Sequence, residues 1–424
     1  MLVRFSLEDS IAYLHSLERF GVRPGLERMR ALCNLLGNPQ ENLRFIHVAG
    51  TNGKGSTCMM LEGILRRAGY KTGLFISPFV YDFRERIQVN GNPVDGGLFA
   101  DAIARVRAVL KTAPSLEITE FEALTAAAFL VYTHAKCSIV VLETGLGGRL
   151  DSTNVIAPPI LAILTAISYD HTAILGDTIE AITREKCGII KGGTAVIYPE
   201  QFLGAQGVIE EHAEKLGCKI HRPDLTKVHE INADRSGTTV EYDNITVTIP
   251  LLGEHMVKNT AVVLESVKVL RRLGFIISDR AIIEGIRGTK LPARMEYREV
   301  EGLPTLIDGG HNEGCALALA QVLKRHFGGL EIYSLCGMMA DKDARAYLAA
   351  LAPYITHMTT VTLPPPRGEK AENLAKTALS LGIDCDVSDD PAGAYAALKT
   401  RLRKQEDRLI LVCGSFLLPG QLRI

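Results

Sequence analysis

The chain has 424 residues, 47 Lys plus Arg against 48 Asp plus Glu, 47% hydrophobic residues and a pI near 6.8. That length exceeds what one hydrophobic core usually supports, so two or three domains are expected. The near-neutral charge excludes a protein that holds nucleic acid or anionic lipid by bulk electrostatics, and the composition is that of a soluble globular chain.

The first residues, MLVRFSLEDSIAYLHSLERFG, meet acidic groups at once and read as an amphipathic helix without the apolar core of a signal peptide. The longest apolar runs, 123–132 and 158–167, fall short of the ~20 residues a bilayer requires. No membrane partner and a cytoplasmic location are expected. The 9 cysteines are scattered without a C-x-x-C, which points to a reducing compartment and away from zinc knuckles or a disulfide framework.

From Phe45 onward, short β-branched runs alternate with helical stretches, the pattern of a mostly parallel sheet covered by helices. The runs are 45–49, 72–76, 138–142, 161–165 and 194–198, with helices predicted over 56–68 and 121–135. Residues 227–250 break the rhythm with period-2 alternation and predict a small antiparallel β excursion. Helices follow at 256–273 and 279–287. The segment Gly288 to Arg294 (GTKLPAR) then marks a boundary, giving a P-loop ATPase-like domain over 1–290 and a smaller Rossmann-like α/β domain over 291–424. In the second, strands are predicted at 304–307, 331–336, 357–362 and 409–412.

The stretch from Phe45 to Thr57, FIHVAGTNGKGST, reads as a buried strand, a glycine-rich turn and a helix start. Gly50, Gly53 and Gly55, with Thr51, Asn52 and Thr57 among them, let backbone N–H groups converge on an anion at the positive end of the helix. Lys54 supplies a point charge for the β- and γ-phosphates of ATP, and Ser56 a hydroxyl for Mg²⁺. The pattern departs from G-x-x-x-x-G-K-[ST] at Val48 and Gly55. Glu143 and His171 follow two other strand runs. If those strands are parallel neighbours of the first, both residues open onto the same crevice and can join Ser56 at a metal. Taken alone, a Glu at a strand end is more often a cap or salt-bridge partner and His171 a satisfied loop histidine; the phosphate loop beside them favours the metal reading.

GTNGKGS is similar to the ATP loop of the Mur ligase superfamily. Leu74 to Phe79 (LFISPF), followed by Arg84-Glu85-Arg86-Ile87, resembles its folylpolyglutamate synthase and dihydrofolate synthase branch. Further matches are Glu143 to Asn154, Asp170-His171, Glu185 to Lys191, Gly253 to His255 with Asn259, Arg294, Asp308 to Asn312, and Gly337 to Asp343.

The resemblance implies two Mg²⁺ ions held by Ser56, Glu143, His171 and Lys186, the last as a carbamate formed with CO₂. It implies adenine contacts from His255 and Asn259, phosphate contacts from Arg294 and ribose contacts from Asp308. It implies pterin contacts from Ser77, Pro78, Phe79, Arg84, Phe121 and Asp151, and a glutamate pocket near Ser415. Lys54, Lys186 and His311 are the implied catalytic groups, with His311 near the reacting phosphate or the incoming L-glutamate. The implied enzyme is a monomeric ligase of folate biosynthesis and one-carbon metabolism that adds L-glutamate to a folate through an acyl phosphate. Phe79 stands where many dual-function members have His, so dihydropteroate remains an open second substrate.

Two other readings compete. One is a Mur-type ligase of nucleotide-linked sugars, against which stands the short stretch ahead of Phe45. The other is a P-loop ATPase whose product is a conformational switch.

Overall fold

A computed structural model describes residues 5–17, 21, 23–365, 367–403 and 407–422. Among these residues the chain forms three sheets. The first contains β1 (Phe45–Ala49), β2 (Thr72–Phe75), β3 (Ile87–Val89), β4 (Asn92–Pro93), β5 (Ile139–Glu143), β6 (Leu161–Leu164), β7 (Thr194–Ile197) and β8 (Lys219–His221). Its order is β4-β3-β2-β5-β1-β6-β7-β8. The run from β2 to β8 is parallel, and β3 and β4 fold back as an antiparallel edge.

Every residue of β1 is buried, because helices cover both faces. Ile46 and Val48 point into a core shared with Leu61 and Ile64 of the helix Lys54–Arg67. Phe45 lies on the opposite side with Val140, Leu142 and Phe129 of the helix Glu120–His134. The phosphate-loop helix crosses the helix Asp279–Arg287 at two glycines. A Cβ on Gly63 would lie 2.9 Å from the Gly285 carbonyl oxygen, and one on Gly285 would lie 2.6 Å from the Ile64 Cα.

The period-2 segment forms β9 (Val228–Asp234), β10 (Gly237–Tyr242) and β11 (Ile245–Ile249), an antiparallel sheet in the order β11-β10-β9. Val240, Tyr242, Val247 and Ile249 close over Ile282 and Ile286 and extend the first core. The third sheet contains β12 (Glu296–Val300), β13 (Leu303–Asp308), β14 (Glu331–Cys336), β15 (His357–Val361), β16 (Cys385–Ser388) and β17 (Arg408–Cys413). Its order is β12-β13-β17-β14-β15-β16, parallel except for β12.

Between the large sheets the chain passes through a kinked connection, in which Ala293 and Met295 hold φ of 54° and 50° on either side of Arg294. Left-handed backbone at two non-glycine residues is uncommon and persists only where surrounding bonds fix it. Here Gly309 N donates to the Ala293 carbonyl at 2.7 Å and Met295 N donates to Asp308 Oδ2 at 3.0 Å.

The N-terminal helix spans Leu7–Ser16 and starts from a Ser6 capping box; residues 1–4 and 18–20 of the helix expected there lie outside the described residues. Among the described residues no helix is long and apolar enough to cross a membrane.

Candidate active site

A cavity of about 420 Å³ opens at the carboxyl ends of β1, β5, β6 and β7 and is closed on the other side by residues of the third sheet. Its floor is the glycine-rich turn. Gly50 has φ 155°, and a Cβ there would lie 1.9 Å from Thr165 Oγ1. Gly53 has φ 85° and packs on the Asn259 amide. Neither position admits a larger residue.

The N–H groups of Thr51 and Asn52 donate to the Ala166 carbonyl at 2.8 and 3.1 Å, so they fix the loop instead of facing a ligand. The first bond at the helix start runs from Thr57 N to the Gly53 carbonyl, leaving the N–H groups of Lys54, Gly55 and Ser56 for an anion. Thr57 is buried beneath the cavity and is absent from its lining.

Two lysines converge on one backbone carbonyl. Lys54 Nζ donates to the Gly50 oxygen at 3.1 Å and to the Thr51 oxygen at 3.1 Å, while Lys186 Nζ donates to the Gly50 oxygen at 2.8 Å. Lys186 projects from the helix Ile179–Cys187 and is only 4% exposed, although lysine is ordinarily a surface residue. Burial and then the Lys54 charge push its ammonium down to about 7. A substantial fraction is therefore neutral amine at physiological pH.

Glu143 ends β5 as its last residue, is buried beside these lysines, and accepts from Ser77 N at 3.0 Å through Oε2. Burial raises its carboxyl, and Lys54 and Arg294 pull it back. His171 sits beyond β6 with φ 51°, its Nε2 3.4 Å from Lys342 Nζ; burial lowers its imidazole despite Asp170.

Among the described residues no three His, Cys, Asp or Glu side chains gather as a self-contained metal cage. That suits Mg²⁺, which takes one or two carboxylates and completes its shell with phosphate and water. Ser56 and Glu143 offer hard oxygens in the lining, and no protein donor among the described residues occupies Glu143 Oε1. A carbamate on Lys186 would add two more oxygens. The donor set fits the ion.

The third sheet contributes the opposite wall. Arg294 lies with its guanidinium carbon 4.6 Å above the Phe416 ring and its Nη2 against Gly55. Asp308 ends β13; its two oxygens accept from Met295 N and Gly310 N, and burial raises its carboxyl from 3.8 to about 6. His311 follows, with Nδ1 3.3 Å from the Gly309 carbonyl, and burial pushes its imidazole down to about 4. His255 and Asn259 stand in the first two turns of the helix Glu254–Arg272 and also line the cavity.

Of the residues expected to contact a pterin, Ser77 and Pro78 line this cavity, whereas Phe79, Arg84, Phe121 and Asp151 do not. Phe79 packs on Phe83 under Arg86, and Arg84 is paired to Asp82 at 2.6 Å. Phe121 covers Gly145 and contacts Phe75 at 5.7 Å between centroids. Asp151 staples its own loop, accepting from Leu146 N at 2.7 Å and from Thr153 N at 3.0 Å. Ser415 is buried behind the wall, its Oγ accepting from Leu417 N. Sequence reasoning missed Tyr198 and Glu200, which line the cavity just past β7. The strand-end rule that selected Glu143 applies equally to them.

Residues 48–267 match the model of the Mur ligase middle domain, and residues 293–416 match that of the Mur ligase glutamate ligase domain. The chain is 33% identical over 430 residues to the dihydrofolate synthase/folylpolyglutamate synthase of Bacillus subtilis, covering 98% of both chains. Folylpolyglutamate synthase of Mycobacterium tuberculosis, complexed with ADP and AMPPCP, superposes with a TM-score of 0.87 at 29% identity and covers 98% of each chain. The Yersinia pestis bifunctional folylpolyglutamate synthase/dihydrofolate synthase, complexed with AMPPNP and Mn ion, gives 0.83 at 28% identity over 98% of this chain and 97% of that one.

Proposed function

Since the chain belongs to the Mur ligase family, in its folylpolyglutamate synthase/dihydrofolate synthase group, we propose how its residues carry out the group's reaction. The protein is an ATP-dependent ligase that joins L-glutamate to folates and works with a divalent metal ion. We take 1–290 as the ATP-binding domain and 291–424 as the domain that receives glutamate.

The Lys54 ammonium, held on the Gly50 and Thr51 carbonyls at the head of the phosphate-loop helix, carries the reading, because it puts positive charge where the γ-phosphate must sit. ATP lies with its phosphates on the N–H groups of Lys54, Gly55 and Ser56, its β- and γ-oxygens against Lys54, and Arg294 closing from the second domain. His255 and Asn259 take the adenine side and Asp308 the ribose.

A folate carboxylate oxygen attacks the γ-phosphorus in line as the bond to the β-bridging oxygen breaks, giving an acyl phosphate and ADP. Ser56, Glu143, His171 and a carbamate on Lys186 would hold two Mg²⁺ ions, which would supply charge neutralisation for the transferred phosphoryl group. The glutamate nitrogen then attacks the acyl carbon, the C–O bond to phosphate breaks, and an amide and inorganic phosphate result. His311 holds its Nδ1 3.3 Å from the Gly309 carbonyl, so Nε2 accepts a hydrogen bond from the incoming amine and orients it, while the proton released as the C–N bond forms leaves with the phosphate. The buried neutral amine of Lys186 adds to CO₂ with loss of a proton, converting a cation into an anion.

Ser77, Pro78, Phe79, Arg84, Phe121 and Asp151 belong to the pterin side, with Asp151 acting through the loop it staples, and Ser415 to the glutamate side. The enzyme acts as a cytoplasmic monomer.

Purified protein is incubated with ATP, Mg²⁺, L-glutamate and either tetrahydrofolate or dihydropteroate, and products are identified by mass. Folate lengthened by one glutamate with equimolar ADP is expected. Failure of folate and glutamate to elicit ADP would end this reading, and the dihydropteroate arm decides the second activity.

A further inference from the structure

The two domains meet over a polar seam that the reaction scheme does not use. Asp170, in the loop after β6, accepts from Lys342 Nζ at 2.8 Å through Oδ1 and from Asn312 Nδ2 at 3.1 Å through Oδ2. Both donors come from the far side of the cleft, Lys342 from the loop after β14 and Asn312 from the turn after β13. Asn312 also exchanges amide bonds with Asn52 of the phosphate loop at 3.0 and 3.4 Å, and Cys315 Sγ lies 3.2 Å from Asn52 Oδ1. Asn52 in turn reaches Ser168 Oγ at 3.3 Å. Loop 167–171 and the phosphate loop are thereby bonded to the second domain through one connected set of side chains.

We propose that Asp170 is a positioning residue, a cross-domain latch that seats Lys342 and Asn312 on the phosphate site and so couples domain docking to capture of the acyl phosphate by glutamate. The inference rests on the ligase reading above.

Its physical basis is the kind of contact used. The side chains of Lys342 and Asp170 are 7% and 12% exposed; Asp170 Oδ1 also accepts from His171 N at 2.9 Å in its own loop, but its ammonium partner comes from across the cleft, so removing Lys342 takes away the lysine charge that faces a largely buried carboxylate. On separation both charged groups rehydrate, which favours a reversible contact at this part of the seam. The latch also borders the chemistry: His171 Nε2 is 3.4 Å from Lys342 Nζ, and His311 Nε2 is 4.0 Å from Asp170 Oδ2. A domain that fails to seat there admits water to the acyl phosphate.

The variants are Asp170→Asn, Lys342→Met, their combination, and Asn312→Ser, which keeps a capping hydroxyl at the helix Glu313–Phe327 while removing the amide donor. ADP and amide are quantified with ATP, Mg²⁺, tetrahydrofolate and glutamate. Hydrogen exchange of segments 167–171 and 338–343 is followed with ATP and Mg²⁺ alone, and Mn²⁺ affinity is measured in the presence of ATP.

In the parent protein one ADP per amide is expected, with both segments protected together. Each single variant should lower the rate of amide formation at least tenfold, raise ADP per amide above one and speed exchange in both segments. The double variant should be no worse than the poorer single variant, and Mn²⁺ affinity should stay within twofold. Unchanged ADP per amide with unchanged exchange overturns the latch. So does lost Mn²⁺ affinity with coupling intact, which would make Asp170 a support of the metal site only. A parent protein that forms no amide yet shows the exchange response separates failure of the ligase reading from failure of the latch.

Discussion

Substituting Gly55 by Ala should impair nucleotide binding while leaving the fold intact. Gly55 is the second residue of the phosphate-loop helix, and a Cβ there would lie 2.7 Å from Arg294 Nη2 and 3.2 Å from its Cζ. Carbon and nitrogen do not approach so closely without a hydrogen bond, so something must shift by roughly 0.8 Å or more. The obstacle is the end of a flexible side chain and not backbone, so Arg294 yields and slides off the Phe416 ring.

The stability terms nearly cancel: Ala gains up to ~1 kcal/mol over Gly in a helix, and the lost cation–π contact is worth about 0.5–2 kcal/mol. The melting temperature should move by no more than roughly 4 °C. Losing a charge-assisted contact to phosphate costs about 1.5–3 kcal/mol, equivalent to a roughly 10- to 150-fold weaker affinity. Titration calorimetry with ADP and the KM for ATP measure this directly, with Arg294→Ala and the double variant as controls. If displacement of Arg294 is the cause, the double variant loses little more than Arg294→Ala alone. Undiminished ADP affinity in Gly55→Ala, or full additivity in the double variant, refutes the reasoning.

Gly148→Ala should do the reverse, because its Cβ would meet the backbone oxygens of Glu185 and Lys186 at 2.8 Å each. Overpacking against backbone predicts a loss of about 1–3 kcal/mol in denaturant unfolding, and an unchanged midpoint would contradict it. Lys186→Ala should reduce ligation at least about a hundredfold, on the scale of losing a major electrostatic contributor. The parent protein equilibrated with ¹³C-bicarbonate should show a carbamate resonance that the variant lacks; full activity without that resonance in CO₂-free buffer would remove the carbamate. Asp308 has a carboxyl raised from 3.8 to about 6, so its stabilising contribution is complete below 3.8 and disappears as pH rises through about 6. The stability of Asp308→Asn relative to the parent should therefore climb between pH 4 and 7 by at most ~3 kcal/mol, and a flat difference in thermal unfolding would show that the carboxyl is not raised.

Where the chain buries a strand on both sides, pattern alone located it. β1 spans 45–49 and β14 spans 331–336 as read from their β-branched runs, and the helix Asp279–Arg287 begins and ends where its Ser278 cap and Gly288 indicate. Short strands and edge strands escaped notice. β3, β4 and β8 have two or three residues each, too few to display a period, and β12, Glu-Tyr-Arg-Glu-Val, carries charges because one flank is free of a neighbour.

Lys186 enters the site reading through resemblance alone, yet its helix carries a signal of its own. Ile179, Ile182, Thr183, Lys186 and Cys187 recur at helical spacing and are all buried, so the period places the lysine inward although its type argues otherwise. Asp170, Asn312 and Lys342 could be quoted as motif residues, yet nothing local predicts that they meet, since their neighbourhood exists only after two sheets have folded and docked. The Asp151 carboxylate was expected on the pterin side, whereas it is engaged by backbone N–H groups of its own turn, a pairing that sequence spacing does not separate from ligand contact.

The glycine crossing of Gly63 and Gly285 has a consequence beyond packing. Two rods touching backbone to backbone leave no space between them, so any bulk inserted at the crossing must push the nucleotide-bearing rod away from its neighbour. Because that rod begins at the phosphate loop, a side chain or inhibitor wedged at the crossing would tilt it and misalign the anion cradle without ever touching it.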